Sequence, residues 1–291
     1  MEHWAFVICD VFTDRPLAGN QLAVFTDARP IPEGLLQPLA REINFSETVF
    51  VYPPEADGDA RIRIFIPTAE IPFAGHPVLG TAFVLASGND KPGIRLETGA
   101  GTIPVRIERD GGRPSFGWMT QLIPQIVSVQ GADAILAALG LAQSELPVIM
   151  YDNGMSHLYI KLADEAAVAA LDPDLRALAR ATSAPAQHVS GINCFAGAGR
   201  QWKTRMFAPG EGVPEDPATG SAAGPLATHL LRHGLIPSGE LIEISQGVEL
   251  GRPSTLFARV TGTPTQIELV EVGGAAIIVG RGSFDATILT A

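Results

Sequence analysis

One passage of this chain is written twice, and that constrains its fold more than any other feature. Residues 63–72 read RIFIPTAEIP and residues 205–214 read RMFAPGEGVP. Arg63, Phe65, Pro67 and Pro72 match Arg205, Phe207, Pro209 and Pro214 at a constant offset of 142, close to half of the 291 residues. Each copy follows a strand-like run. RIRIFI sets Ile62, Ile64 and Ile66 on one face, and KTRMF is its shorter partner. Each copy then leads into a turn and a helix-like stretch. Shared identities in a shared strand–turn–helix order indicate an internal duplication.

The stretches after the echo, PVLGTAFVLA (77–86) and PATGSAAGPLATHLL (217–231), are apolar or small on nearly every side. A helix apolar all round must be buried all round, and these are too short to cross a bilayer, so each is expected to be wrapped by sheet. Strand-like runs are expected at 4–9, 22–25, 48–52, 61–66, 102–107, 126–129, 157–162, 255–260, 266–272 and 275–280. Amphipathic helices are expected at 33–43, with Leu35, Leu36, Leu39 and Ile43 on one face, and at 164–182. Strands do not alternate strictly with helices, which disfavours a doubly wound parallel sheet. The fold class is therefore α+β, as two halves, each a curved sheet around a central helix. A length near the limit of a single core also suggests two domains, expected at 1–117 and 118–291 with terminal strands free to cross between them.

Charge narrows the partners. With 20 Lys and Arg against 31 Asp and Glu, the formal charge is −11, and no basic cluster is available to neutralise nucleic acid or an anionic membrane. No apolar run approaches a membrane span, and the start MEHWAFVICDVF has no basic n-region. Cys9 and Cys194 cannot build a disulfide framework and lack metal-ligand spacing, so both are expected to be packing residues in a reducing cytoplasm. No P-loop, strand–GxGxxG–helix unit, GxSxG, HExxH or CxxC occurs.

The repeated turns carry the candidate chemistry. Ala74-Gly75-His76-Pro77 stands at the first and Glu215-Asp216-Pro217-Ala218-Thr219-Gly220-Ser221 at the second. Gly75 and Gly220 let backbone approach a ligand, and a helix start offers free amides and a positive dipole end to an anion. Ordinary capping by Thr219 or Ser221 is the bland alternative. The offset of 142 sets Ala74 against Asp216, so any acid/base chemistry is one-sided or draws on a residue from elsewhere. Glu47, in INFSETVFVYPP, is the best donor. If the strand begins near Phe45, alternation puts Phe45, Glu47, Val49 and Val51 on one apolar face, where desolvation would raise a carboxyl pKa toward neutrality. A solvent-facing Glu47, or one paired with an Arg, is equally open. His76 can donate to a substrate oxygen, shuttle a proton or cap its helix. His3, His157, His188, His229 and His233 lack a comparable context and are expected to be structural or exposed.

At these residues the sequence resembles the phenazine-biosynthesis isomerase (PhzF-like) family. DVFTDRPLAGNQLAVF (10–25), NFSETVFV (44–51), RIFIPTAEIPFAGHPVLGTAFVL (63–85), ETGAGTIPV (97–105), RMFAPGEGVPEDPATGSAAG (205–224) and QGVELGRPS (246–254) carry the resemblance in family order. It implies the diaminopimelate-epimerase-like fold, with the active site in a cleft between two similar domains, and an isomerase without cofactor or metal, usually a homodimer. By resemblance Glu47 is the proton carrier, and His76 and Asp216 contact the substrate. Gly75, Gly220 and Ser221 hold the substrate carboxylate through amides, with a hydroxyl from Ser221. Cys9 and Cys194 lie at neither turn, unlike the thiols of related epimerases.

Two departures stand out. Gln21 replaces the family's usual proline after Gly19-Asn20, which is expected to loosen that turn. Pro225 falls where a helix-compatible residue is usual, and an interior proline costs about 3 kcal/mol. The second central helix is therefore expected to begin near Ala222 or to kink. The leading functional expectation is an isomerase moving a proton within a small unsaturated or cyclic carboxylic acid. The alternatives are an amino- or hydroxy-acid epimerase and a non-catalytic binding protein on the same fold.

Overall fold

A computed structural model describes residues 3–182 and 188–289. The chain divides into two compact units, Met1–Thr120 with Gly273–Ala291, and Gln121–Val272. The first elements in chain order are β1 (His3–Val11), β2 (Asn20–Phe25), α1 (Leu36–Ile43), β3 (Glu47–Tyr52), β4 (Ala60–Phe65), β5 (Glu70–Ile71), α2 (Gly75–Ala86), β6 (Gly93–Thr98), β7 (Gly101–Asp110) and β8 (Arg113–Thr120). Next come β9 (Gln125–Val127), α3 (Ala132–Ala138), β10 (Ile149–Asp152), β11 (Ser156–Lys161), α4 (Glu165–Ala169), α5 (Leu175–Thr182), β12 (Gly191–Ala198) and β13 (Gln201–Ala208). The last are β14 (Val213–Asp216), α6 (Gly220–Arg232), β15 (Leu241–Gln246), β16 (Ser254–Gly262), β17 (Ile267–Gly274), β18 (Ala276–Asp285) and α7 (Ala286–Leu289).

The two units are wired alike. In the first, β1 pairs antiparallel with β2, β2 parallel with β3, β3 antiparallel with β4, β4 parallel with β6, and β6 antiparallel with β7. In the second, β10 pairs antiparallel with β11, β11 parallel with β12, β12 antiparallel with β13, β13 parallel with β15, and β15 antiparallel with β16. A parallel step requires a crossover, and helices fill each one: α1 and α2 in the first unit, α4 with α5 and then α6 in the second. A short strand folds back on the fourth strand of each set, β5 on β4 and β14 on β13. The echoed residues make the same contacts in both copies. Arg63 lies 5.3 Å from the centre of the Phe65 ring and Arg205 lies 5.0 Å from that of Phe207. Each guanidinium also grips a carboxylate through two bonds, Glu70 for Arg63 and Glu215 for Arg205.

The register of the echo shifts after the strand. Ile64 faces Ile71, whereas its counterpart Met206 faces Asp216, so the offset has grown by three. The added length lies in a 3-10 turn at Pro209–Glu211 and in Gly212, whose φ of +82° suits glycine. Asp216 is therefore the counterpart of Ile71, and not of Ala74 as the constant offset implied. Ala74 and Thr219 are the matching N-caps, Gly75 and Gly220 the matching first residues, and His76 and Ser221 the matching second residues of α2 and α6.

Both central helices are enclosed, as their composition requires. Gly75 through Val84 of α2 and Gly220 through Leu231 of α6 are buried. Around α2 the backbone comes close: a Cβ on Gly117 would sit 2.6 Å from a Leu79 methyl, and one on Gly80 would sit 2.7 Å from the Leu22 and Val11 side chains. The stretch expected as one helix at 164–182 is two. Pro173 disfavours helical geometry at Asp172, and Asp164 and Asp174 then accept from Ala167 N and Ala177 N to open α4 and α5 separately. The 33–43 stretch enters through a 3-10 turn at Glu33–Leu35 before α1. Glu97, in the ETGAG segment, accepts from the amides of Glu55, Ala56 and Gly58 and ties that loop down.

Leu79→Ala, which leaves a cavity on the face of α2 packed by Gly117, is expected to cost about 2–5 kcal/mol. Denaturant unfolding checks this: the midpoint should fall with the slope unchanged.

Candidate active site

In the first unit, three chain segments converge on one imidazole. Glu47 opens β3, so the strand starts two residues later than alternation from Phe45 suggested. Asn20 opens β2 and His76 is the second residue of α2. Asn20 Nδ2 lies 3.1 Å from His76 Nδ1. An amide nitrogen can only donate, so Nδ1 is the acceptor and the ring proton resides on Nε2. Nε2 in turn lies 3.5 Å from Glu47 Oε2, with His76 2% and Glu47 13% exposed at the side chain. Burial pushes the His76 pKa down to about 3, against a smaller opposing effect of the Gln21 backbone. The carboxylate therefore stands beside a neutral imidazole, at a distance that makes no hydrogen bond between Nε2 and Oε2.

The turn that supplies Asn20 is held without the missing proline. Gly19 adopts a φ of +66°, and a Cβ there would fall 2.3 Å from the Val11 carbonyl oxygen. Asn20 and Gln21 pair directly with Val11 and Asp10, while Asp10 accepts from Leu17 N at 2.7 Å.

In the second unit, Asp216 ends β14 and is buried. Thr219, the N-cap residue, does not cap the helix with its side chain; its hydroxyl donates to Asp216 Oδ2 at 2.7 Å. Gln246, the last residue of β15, secures this turn. Its Nε2 donates to the Asp216 carbonyl at 2.8 Å and to Thr219 Oγ1 at 3.0 Å, and its Oε1 accepts from Thr219 N at 3.2 Å. Gly247 follows with a φ of +76°, and a Cβ there would lie 2.5 Å from the Pro217 carbonyl oxygen. Ser221, buried at the second position of α6, has its Oγ 2.9 Å from His157 Nε2.

Pro225 neither delays nor ends α6, which runs from Gly220 through Arg232 with the proline inside. Proline has no N–H for the carbonyl four residues back, and that carbonyl, on Ser221, accepts instead from Asn153 Nδ2 at 2.9 Å. The neighbouring carbonyls of Gly220 and Ala222 also receive side-chain donors, from Gln121 at 2.8 Å and Tyr159 at 2.7 Å. The first turn is thus fixed from outside the helix.

The structure brings Glu47 and His76 together in one unit, and Asp216, Gly220 and Ser221 together in the other. Neither N-cap side chain bonds its helix, so plain capping does not account for the two turns. Asn20 and Gln246 were absent from the expected site residues. The only sequence signal for them is their place in the AGN and QGVELG segments. Cys9 and Cys194 are buried, and burial pushes both thiols up, that of Cys9 to about 12. Among the described residues no group of three or more His, Cys, Asp or Glu is placed to hold a metal ion, and no helix is long and apolar enough to cross a membrane.

The sequence pattern of the family described as Phenazine biosynthesis-like protein matches residues 9–282. A trans-2,3-dihydro-3-hydroxyanthranilate isomerase of Pseudomonas fluorescens is 49% identical over 279 residues, covering 96% of this chain and 98% of that protein. The Bacillus anthracis phenazine biosynthesis protein of the PhzF family has a TM-score of 0.83 at 22% identity, covering 98% of this chain and 100% of that one. A hydroxyproline epimerase from Agrobacterium vitis shares the fold with a TM-score of 0.66 at 13% identity, covering 98% and 91%. Fold and relatives together define an isomerase built on the α+β, diaminopimelate-epimerase-like architecture. Within that class, the chain belongs to the phenazine biosynthesis-like family and is an isomerase of the PhzF type.

Three buried imidazoles lower stability in acid. Burial pushes His76 to about 3, His157 to about 4 and His229 to about 3, from an ordinary value of 6.5. The unfolded chain takes up their protons from about pH 6.5 downward while the folded chain does not, so stability is full above that pH and falls toward pH 3. Urea midpoints measured between pH 8 and pH 4 should be level down to about 6.5 and then drop steadily.

Proposed function

We propose that the protein is a general acid/base isomerase that moves a proton within a small unsaturated or cyclic carboxylic acid. Glu47 removes a proton from an activated C–H and returns it to another carbon of the same π-system, so no atom is gained or lost. The observation that carries this reading is the Glu47 carboxylate beside the neutral His76 at a helix start. A cationic partner would stabilise the carboxylate and weaken it as a base. A neutral imidazole beside it does so far less.

The helix starts bind the anionic end of the substrate. Amides of Gly75, Gly220 and Ser221 hold the carboxylate and also stabilise charge developing in the transition state, while the Ser221 hydroxyl holds the carboxylate alike in ground and transition states. His76 and Asp216 orient polar substituents, Asp216 as an acceptor for an amino or hydroxyl group. The carrier is a side chain, so the step calls on no cofactor or metal. The 49%-identical relative makes trans-2,3-dihydro-3-hydroxyanthranilate the first acid to try. The same proposal has the protein acting as a cytoplasmic homodimer. A dimer mass by light scattering supports that assembly, and a monomer mass at working concentration removes it.

The test is deuterium uptake in heavy water with that acid. The wild type should shift the double bond and take up solvent deuterium at the receiving carbon to the extent that the proton on Glu47 exchanges with solvent before it is delivered. Glu47→Gln should lower turnover by about 10²–10⁴-fold while carboxylate binding changes by no more than a few fold. Undiminished exchange in Glu47→Gln removes Glu47 as the carrier. Deuterium entering at a stereocentre with inversion, and no double-bond shift, replaces the isomerase with an epimerase.

A further inference from the structure

His157 is a buried histidine that the proposed proton transfer does not use. It is the second residue of β11 and stands beside Gly191 of β12. Gly191 makes room for it: a Cβ there would fall 3.0 Å from His157 Nδ1 and 2.7 Å from Met206 Sδ. The ring is aimed at α6, with Nε2 2.9 Å from Ser221 Oγ. Among the described residues Nδ1 has no hydrogen-bond partner. Ser221 is held from its other end as well, since its carbonyl, released by Pro225, accepts from Asn153.

The direction of the Ser221–His157 bond decides what the serine can offer a ligand. A hydroxyl has one hydrogen and two lone pairs. If Nε2 accepted, the serine's hydrogen would be spent inside the protein, and an anion would meet lone pairs. The ring proton would then sit on Nδ1 as a buried donor without a partner, at the full cost of its desolvation. If Nε2–H donates, Nδ1 carries only a lone pair, and the serine hydrogen is available. Burial keeps the ring neutral down to about pH 4, so Nε2 and Nδ1 do not both carry protons at neutral pH.

We propose that His157 is a positioning residue that donates its Nε2–H to Ser221 Oγ and so turns the serine's single hydrogen toward an anionic oxygen of the substrate. The proposal rests on the reading above that Ser221 contacts the substrate carboxylate. It also accounts for the structural match between Ser221 and His76. Each is the second residue of its central helix, and each has a buried partner from a neighbouring strand that sets the direction of its hydrogen bond, Asn20 for His76 and His157 for Ser221.

Two measurements test it. The first needs no turnover: the imidazole nitrogen spectrum of ¹⁵N-histidine-labelled protein should show His157 protonated on Nε2, with the signal moved in Ser221→Ala. A proton on Nδ1 overturns the proposal. The second is a cycle of steady-state constants with trans-2,3-dihydro-3-hydroxyanthranilate. Ser221→Ala and His157→Phe should each raise KM about tenfold with kcat changed far less, as expected for loss of a bond made equally in ground and transition states. The double variant should be no worse than Ser221→Ala, and His157→Gln, whose amide places an N–H near the Nε2 site, should recover most of the loss. Losses that multiply in the double variant, or a wild-type KM in His157→Phe beside an impaired Ser221→Ala, overturn the role of His157 alone. A wild-type KM in Ser221→Ala overturns the substrate contact itself. If His157→Phe fails to fold, the nitrogen spectrum and His157→Gln decide.

Discussion

Enclosure of two helices that have no polar face is the constraint on which the rest of the structure depends. A surface helix hides one stripe and shows the other to water. Helices α2 and α6 have no side to show, so sheet strands must close around each of them. The side chains along these helices are therefore committed to packing, and glycines such as Gly80 and Gly117 let backbone and helix approach closely. What remains of each helix for chemistry is its first turn, where backbone amides have no partner within the helix. The matching positions of Gly75 and Gly220, and of His76 and Ser221, follow from that geometry.

Both helix starts depend on hydrogen-bond direction more than on net charge. Asn20 requires Nδ1 of His76 to accept, which leaves the Nε2 proton facing Glu47. Gln246 uses both ends of its amide to hold Asp216 and Thr219 in one arrangement. Such buried networks are costly when half satisfied. Their members come from strand ends far apart in sequence, so the turns are rigid only once the sheets have formed. The buried imidazoles accept lower stability in acid in exchange for staying neutral at working pH.

The places where local rules are broken lie beside these turns. Pro225 stands inside a helix that continues through it because Asn153 satisfies the carbonyl it releases. Gly224 precedes it, and a Cβ there would fall 2.2 Å from Gln121 Oε1, so the close approach of Gln121 to the Gly220 carbonyl needs that glycine. Gly247 holds a left-handed backbone against Pro217. Departures from local preference are expected where function demands a fixed geometry.

Much of this was legible in the chain itself. Repetition of R-x-F-x-P, two all-apolar helical stretches and strands that do not alternate with helices specify a duplicated α+β architecture, because these patterns reflect local periodicity and burial. Strands such as GINCFAGA (191–198) are buried on both faces, show no alternation and so leave no periodic signal in the sequence. The motifs marked Glu47, His76, Asp216 and Ser221, but spacing alone set Asp216 against Ala74. Only the pairing of Met206 with Asp216 corrected this, since the length of a turn does not fix where its strand docks. The tautomer of His76 and the partners Asn20, His157 and Gln246 were likewise decided by tertiary structure. A hydrogen bond between residues dozens of positions apart leaves no periodic trace in sequence, and it exists only when the sheets bring its two ends within about three ångströms.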